Sequence, residues 1–183
     1  MGFLQPARRR RLWLGVVALI LPLLAFLVVP LYGFLWQELH GDSFSFREWT
    51  GKLPRGFYVS SLNSASSQLW RLDLGRPIIK TPYGHISLLA ADSGSAFSRE
   101  RDYERFGDAV TQAARESQYA FSQQLQVPVD GTVAYCLEFT RVRNNAQLQL
   151  RCGLEGTSLF VYYEGHEKYR EAFLSFLQAL VRR

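Results

Sequence analysis

The chain has 183 residues, two cysteines, three histidines and a formal net charge of +5, from 21 basic and 16 acidic side chains. Four of the basic residues, Arg8 to Arg11, precede the first acidic one, Glu38, so the rest of the chain sets 17 basic against 16 acidic side chains, a net charge of +1. That balance, without a basic stripe, excludes nucleic-acid binding as the reading of the charge, and two isolated cysteines with no C-x-x-C exclude a structural zinc site.

From Leu12 to Trp36 no residue is charged. As a helix rising about 1.5 Å per residue this run is about 37 Å long, enough for the roughly 30 Å of bilayer hydrocarbon. A cleaved secretory signal has a hydrophobic region of roughly 7 to 15 residues and a small-residue cleavage site, whereas this run continues through Val28, Val29, Pro30, Leu31 and Tyr32. A permanent anchor is therefore expected, with Trp13, Tyr32 and Trp36 near its ends, where amphipathic rings favour the headgroup region. Gly15, Ala18, Pro22 and Ala25 fall roughly along one side of it and are the candidate contact for a partner helix in the membrane.

Arg8 to Arg11 on one flank, against Glu38 and Asp42 on the other, place the amino terminus in the cytoplasm. The expected organisation is a cytoplasmic basic tail (1–11), a transmembrane helix (12–36), a tether (37–55) and one exported domain (56–183). The expected location is a bacterial inner membrane, crossed once; a eukaryotic type II membrane protein would carry the same charge asymmetry. The tether is read from Gly41, Asp42, Ser43, Gly51 and Pro54. Phe44, Phe46 and Trp49 within it either rest on the lipid interface or, the commoner fate of such aromatics, pack against the domain.

In the domain, "GFYVSSL" reads as a strand, and in "LWRLDLG" Trp70, Leu72 and Leu74 alternate with Arg71 and Asp73, the period of a half-buried strand. Gly75 and Arg76 suit a turn into "PIIKT", and Thr81 to Gly84 a type I turn into "HISLLAA". A helix is expected from Arg99 to Tyr119, with Ser98 as N-cap, Glu100, Asp102 and Glu104 in the first turn, and Tyr103, Phe106, Val110, Ala113, Ala114 and Ser117 on one side. At the carboxyl end Tyr169, Phe173, Phe176, Leu177, Leu180 and Val181 form the apolar face of a second helix.

Between the helices lies a three-stranded meander. Val133, Tyr135, Leu137 and Phe139 alternate on its first strand, Leu148, Leu150, Cys152 and Leu154 on its second, and Leu159, Val161 and Tyr163 on its third. Asn144 and Asn145 suit a type I′ turn. Closing that turn sets Phe139 opposite Leu150, Leu137 opposite Cys152, and Glu138 opposite Arg151 as an ion pair. In this register Cys136 and Cys152 point to opposite sides of the sheet, so both thiols are expected free although an exported domain lies in an oxidising compartment. The order of elements indicates an α+β domain, an antiparallel sheet packed by two main helices.

The face of the meander opposite the expected core carries Gln149, Arg151, Phe160 and Tyr162, an aromatic and arginine combination of the kind enriched in binding hot spots. Either these residues bind a partner or, the favoured alternative, a helix covers them as second-layer core. Signals for catalysis are sparse. His85 with Ser93 or Ser95 and Asp92 could be assembled into a nucleophilic site, but "ADSGSAF" lacks the G-x-S-x-G elbow, and solvated loop residues are the better reading. No phosphate-binding or dinucleotide motif occurs, and no pair of histidines has helical metal-ligand spacing, so no cofactor and no metal are expected.

The segments "LPRGFYVS", "GTVAYCLEF" and "SLFVYYEGHEKYREAFLSFLQAL", with the order of elements around them, resemble the PsbP-like family of small extracytoplasmic domains over residues 52–183. The resemblance implies a non-catalytic accessory or assembly role; no functional residue of that family maps onto this chain, and the uncleaved anchor departs from it. The expected function is a membrane-anchored, non-enzymatic accessory or binding module of a cell-envelope complex, with membrane and envelope-protein partners. The alternatives are an anchored envelope hydrolase and a domain that holds an apolar ligand.

Overall fold

The computed structural model describes residues 31–66, 69–75, 84–91 and 96–183. The expected span 12–36 therefore lies outside the described residues except for its last turn and a half, as do Gly15, Ala18, Pro22 and Ala25. Among the described residues no helix is long and apolar enough to cross a membrane. The described chain opens on helix α1 (31–40). Two short strands follow, β1 (Ser43–Phe46) and β2 (Trp49–Lys52), and then β3 (Tyr58–Ser66), β4 (Leu69–Gly75) and β5 (Gly84–Ala91). Helix α2 (Arg99–Glu116) leads into β6 (Tyr119–Val129), β7 (Thr132–Arg141), β8 (Asn144–Leu154) and β9 (Leu159–His166). A 3₁₀ turn (Glu167–Tyr169), helix α3 (Arg170–Gln178) and β10 (Val181–Arg182) complete the fold.

The result is α+β, as expected. Seven antiparallel strands form one sheet in the order β3-β4-β5-β9-β8-β7-β6, and β1, β2 and β10 form a small second sheet. On one face of the large sheet Leu74, Ile86, Leu88, Leu150, Cys152 and Val161 meet Phe173, Phe176 and Leu177 of α3 and Phe44, Phe46 and Trp49 of the small sheet. On the other face α2 sets Val110 and Ala114 over Leu137 and Phe139 in a second cluster. Among the described residues the sheet is thus covered on both faces near β7 but on one face near β4.

The predicted α2 begins where expected, although the Ser98 hydroxyl makes no cap bond. Instead the Asp102 carboxylate accepts from the Ser98 backbone N–H at 2.9 Å and Glu155 from that of Arg99 at 2.7 Å, so acidic side chains satisfy the donors that a helix start leaves open.

Four expectations are corrected. Residues 37–55 are not a tether: they complete α1 and form β1 and β2, with Phe46 and Trp49 each only 2% exposed. The aromatics do pack against the domain, and that burial turns a Gly- and Ser-rich segment into structure. Second, the partners of β4 are β3 and β5, where a hairpin with the segment just after Gly75 was expected; "PIIKT" itself lies outside the described residues. Third, α3 stops at Gln178, and while Leu180 is buried, Val181 is half exposed in β10, paired with Thr50.

Fourth, the β7–β8 register is one residue from that expected. The turn falls at Val142 and Arg143, Arg141 pairs with Asn144, and a bulge follows Thr140. Cys136 therefore stands opposite Cys152, Leu137 opposite Arg151 and Glu138 opposite Leu150. The cysteines are joined as a disulfide with Cα atoms 4.0 Å apart, so the free-thiol expectation fails. The expectation assumed that every large apolar side chain of β7 faces one core. In fact Ala134 and Cys136 face α3, while Leu137 and Phe139 face α2. Glu138 leaves Arg151 on the opposite face and pairs with Arg170 of α3 at 2.8 Å.

Candidate functional site

The half of the large sheet that α2 leaves open is a grid of paired strands. Because β4, β5, β9 and β8 are adjacent and antiparallel, residues opposite one another line up in rows across them. One row runs Asp73, Ser87, Tyr162, Arg151. The row beside it runs His85, Glu164, Gln149, and on the other side Arg71 pairs with Leu89 and Leu89 with Phe160. Together they floor a groove of about 290 Å³ lined by Arg71, His85, Ser87, Gln149, Arg151 and Tyr162.

Asp73 organises one end. Its carboxylate accepts from Ser87 Oγ at 2.6 Å, Arg71 Nε at 2.9 Å and Ser61 Oγ at 3.0 Å, and lies 3.2 Å from His85 Nε2. Burial alone would raise its pKa, but the hydrogen bonds from Ser87, Arg71 and Ser61 and the Arg71 charge outweigh it and hold the carboxyl below its ordinary value. A group so held is a weak base. Ser87 donates its hydrogen bond to the carboxylate directly, without an intervening imidazole, which is not the geometry of an activated serine. The alternative nucleophiles Ser93 and Ser95, with Asp92, lie outside the described residues.

A folded-state pKa below the unfolded one gives stability that is present above the unfolded value of about 3.9 and is lost as pH falls through the folded value. Asp73→Asn is therefore expected to shrink the drop in thermal midpoint between neutral and strongly acidic pH. A variant with the wild-type acid profile would show that Asp73 is not anchored in this way.

Arg151 dominates the other end. Its Nη2 donates to Gln149 Oε1 at 3.0 Å and its guanidinium lies 5.7 Å from the centre of the Tyr162 ring. Among the described residues it pairs with no carboxylate. Burial raises the pKa of Tyr162, with Arg151 opposing, so the phenol stays a neutral hydrogen-bonding group. At the groove's rim Tyr119 Oη donates to Glu164 at 3.3 Å; burial and the Glu164 charge push that phenol up to about 12.

Neither a protein-family model nor a curated protein matches this sequence. Among the described residues no three histidine, cysteine or acidic side chains gather in a way that could hold a metal ion.

Of the four residues singled out on the outer face of the meander, the structure brings Gln149, Arg151 and Tyr162 together in the groove. Phe160 departs from them: its ring lies 5.7 Å from those of Phe97 and Phe106, beneath the start of α2. The covered reading thus holds for Phe160, while Gln149, Arg151 and Tyr162 line the groove instead. Arg71, Asp73, His85 and Ser87 were not expected there. Their signal was present in "LWRLDLG" and "HISLLAA", whose polar alternates all point one way, but their meeting depends on β4 pairing β5.

Proposed function

We propose that the protein is a membrane-anchored, non-enzymatic binding module whose exported domain docks a protein partner of a cell-envelope complex through the groove of Arg71, His85, Gln149, Arg151 and Tyr162. The observation that carries this reading is the charge of Arg151, which pairs with no carboxylate among the described residues and is held by Gln149 and the Tyr162 ring at the end of a row of hydrogen-bonding side chains. Such a site suits a partner segment bearing carboxylate and carbonyl groups, since an arginine fork matches them and an aromatic beneath it adds contact area. The uncharged run 12–36, with Arg8 to Arg11 before it, supports an anchor with the amino terminus in the cytoplasm of a bacterial cell. A disulfide is the kind of bond that an oxidising compartment preserves. The PsbP-like resemblance carries the same implication of an accessory role.

The test is affinity purification of the full-length protein from detergent, with Arg151→Glu beside the wild type. Arg151 is half-buried in the groove and outside both apolar clusters, so the variant should fold and reach the membrane but lose its co-purifying protein. Identical partners for both proteins would rule out the groove, and turnover of a substrate by the purified protein would rule out the non-enzymatic reading.

A further inference from the structure

Helix α1 is fastened to the domain as firmly as a core element. The Gln37 side-chain amide donates to the carbonyl oxygens of Pro54 at 2.8 Å and Phe57 at 2.9 Å, and its oxygen accepts from the Gly56 N–H at 3.3 Å. One turn earlier Gly33 lies so close to Gly56 that any side chain there would overlap the Gly56 carbonyl. Tyr32 stands edge-on to Tyr58 at 4.9 Å, and the Arg55 guanidinium lies 5.7 Å from the Phe34 ring.

The side of α1 opposite Gly33 and Gln37 is apolar and open. Leu31, Leu35 and Leu39 are 51%, 51% and 80% exposed, and their spacing of four aligns them as one ridge pointing away from the domain. Single exposed leucines are ordinary, but an aligned ridge marks a surface that something covers.

We propose that this ridge lies on the phospholipid bilayer at the headgroup level, so that the domain rests on the membrane in a fixed orientation. The inference depends on the anchored reading above. Residues 12–30 are uncharged, and at about 1.5 Å per residue they would extend about 28 Å, close to the roughly 30 Å of hydrocarbon. That length places Leu31, the first ridge residue among those described, where the hydrocarbon ends. In the sequence Pro30 stands between that run and the described part of α1, and a proline disfavours one straight helix through it, so the sequence allows a change of direction there. Tyr32, 45% exposed, is a side chain that favours that depth, while Trp36 packs against the domain core. Arg55, exposed beside Phe34, is placed to meet lipid phosphates, and the exposed Glu38 keeps α1 from sinking into the acyl chains.

The test uses the full chain, whose two native cysteines are joined, with an environment-sensitive fluorophore on Leu35→Cys or Leu39→Cys. The control is Glu100→Cys at the start of α2, at the end of the sheet away from α1. Each is reconstituted into phosphatidylcholine and phosphatidylglycerol vesicles containing a lipid spin-labelled near its headgroup. Quenching should be several-fold stronger at positions 35 and 39 than at 100. Equal quenching, in protein that alkaline carbonate leaves in the membrane, would overturn the lipid contact while sparing the anchor. Release by carbonate would overturn both. Oxidative cross-linking of two Leu39→Cys copies would overturn the proposal by giving the ridge to a second copy of the chain.

Discussion

Trp49→Ala is expected to destabilise the domain by about 3–5 kcal/mol, a fall in Tm on the order of 10 °C. Trp49 is 2% exposed, in a strand held on one side by β1 and on the other by β10. Its neighbours in the core include Phe46 and the α3 aromatics Phe173 and Phe176. Truncating an indole in such a place removes its transfer free energy and leaves a cavity that three elements cannot close together. Thermal unfolding of the full chain in detergent, followed by far-ultraviolet circular dichroism, measures the loss. Were residues 37–55 a tether, the substitution would change nothing, so a Tm equal to the wild type would return that segment to a linker.

Replacing both Cys136 and Cys152 by alanine should cost about 3 kcal/mol, the chain-entropy value for a closed loop of this size. The two residues are 16 apart in sequence and sit opposite one another in the β7–β8 ladder. Alanine is the informative replacement, since serine would add buried hydroxyl groups at positions with no exposure. Peptide mapping without reduction should recover a fragment joining the two cysteines. Alkylation of both thiols in denatured, unreduced protein would show that the bond is absent and would return the register to the one that sets Leu137 opposite Cys152.

Local pattern was a good guide wherever a strand or helix buries a single face. Leu72 and Leu74 on β4 face the core in the alternation read from sequence, although Trp70, the first member of that alternation, is 37% exposed. Val110, Ala114 and Phe106 likewise lie on the side of α2 that meets the sheet. The pattern misled at β7, a strand between two layers, where apolar side chains on both faces make either register look satisfied and the asparagine pair tipped the choice. It was not used at β6, an edge strand whose first half is polar and exposed but whose Leu125, Val127 and Val129 alternate with Gln124, Gln126 and Pro128. A second signal there was the turn that follows, where Asp130 and Gly131 both take positive φ, at 38° and 76°. The groove was legible residue by residue but not as an assembly, because its rows cross four strands drawn from both halves of the chain.

The small sheet joins the two ends of the domain. β2 is flanked by β1, next to it in sequence, and by β10, with Val181 opposite Thr50 and the Arg183 N–H donating to the Glu48 carbonyl at 2.7 Å. A ribosome or translocase releases these partners in order, and β10 comes last. Until then β2 has one free edge, and Phe44 lacks the Phe176 ring that stacks on it at 5.6 Å. The closing contact is among the longest-range in the chain, the kind whose loop-closure entropy slows folding. Phe44, Phe46 and Trp49 emerge before every strand of the large sheet and are thus fully covered only after all of them. For that interval they form a sticky amino-terminal segment, and a chaperone holding the nascent chain would find its binding site there.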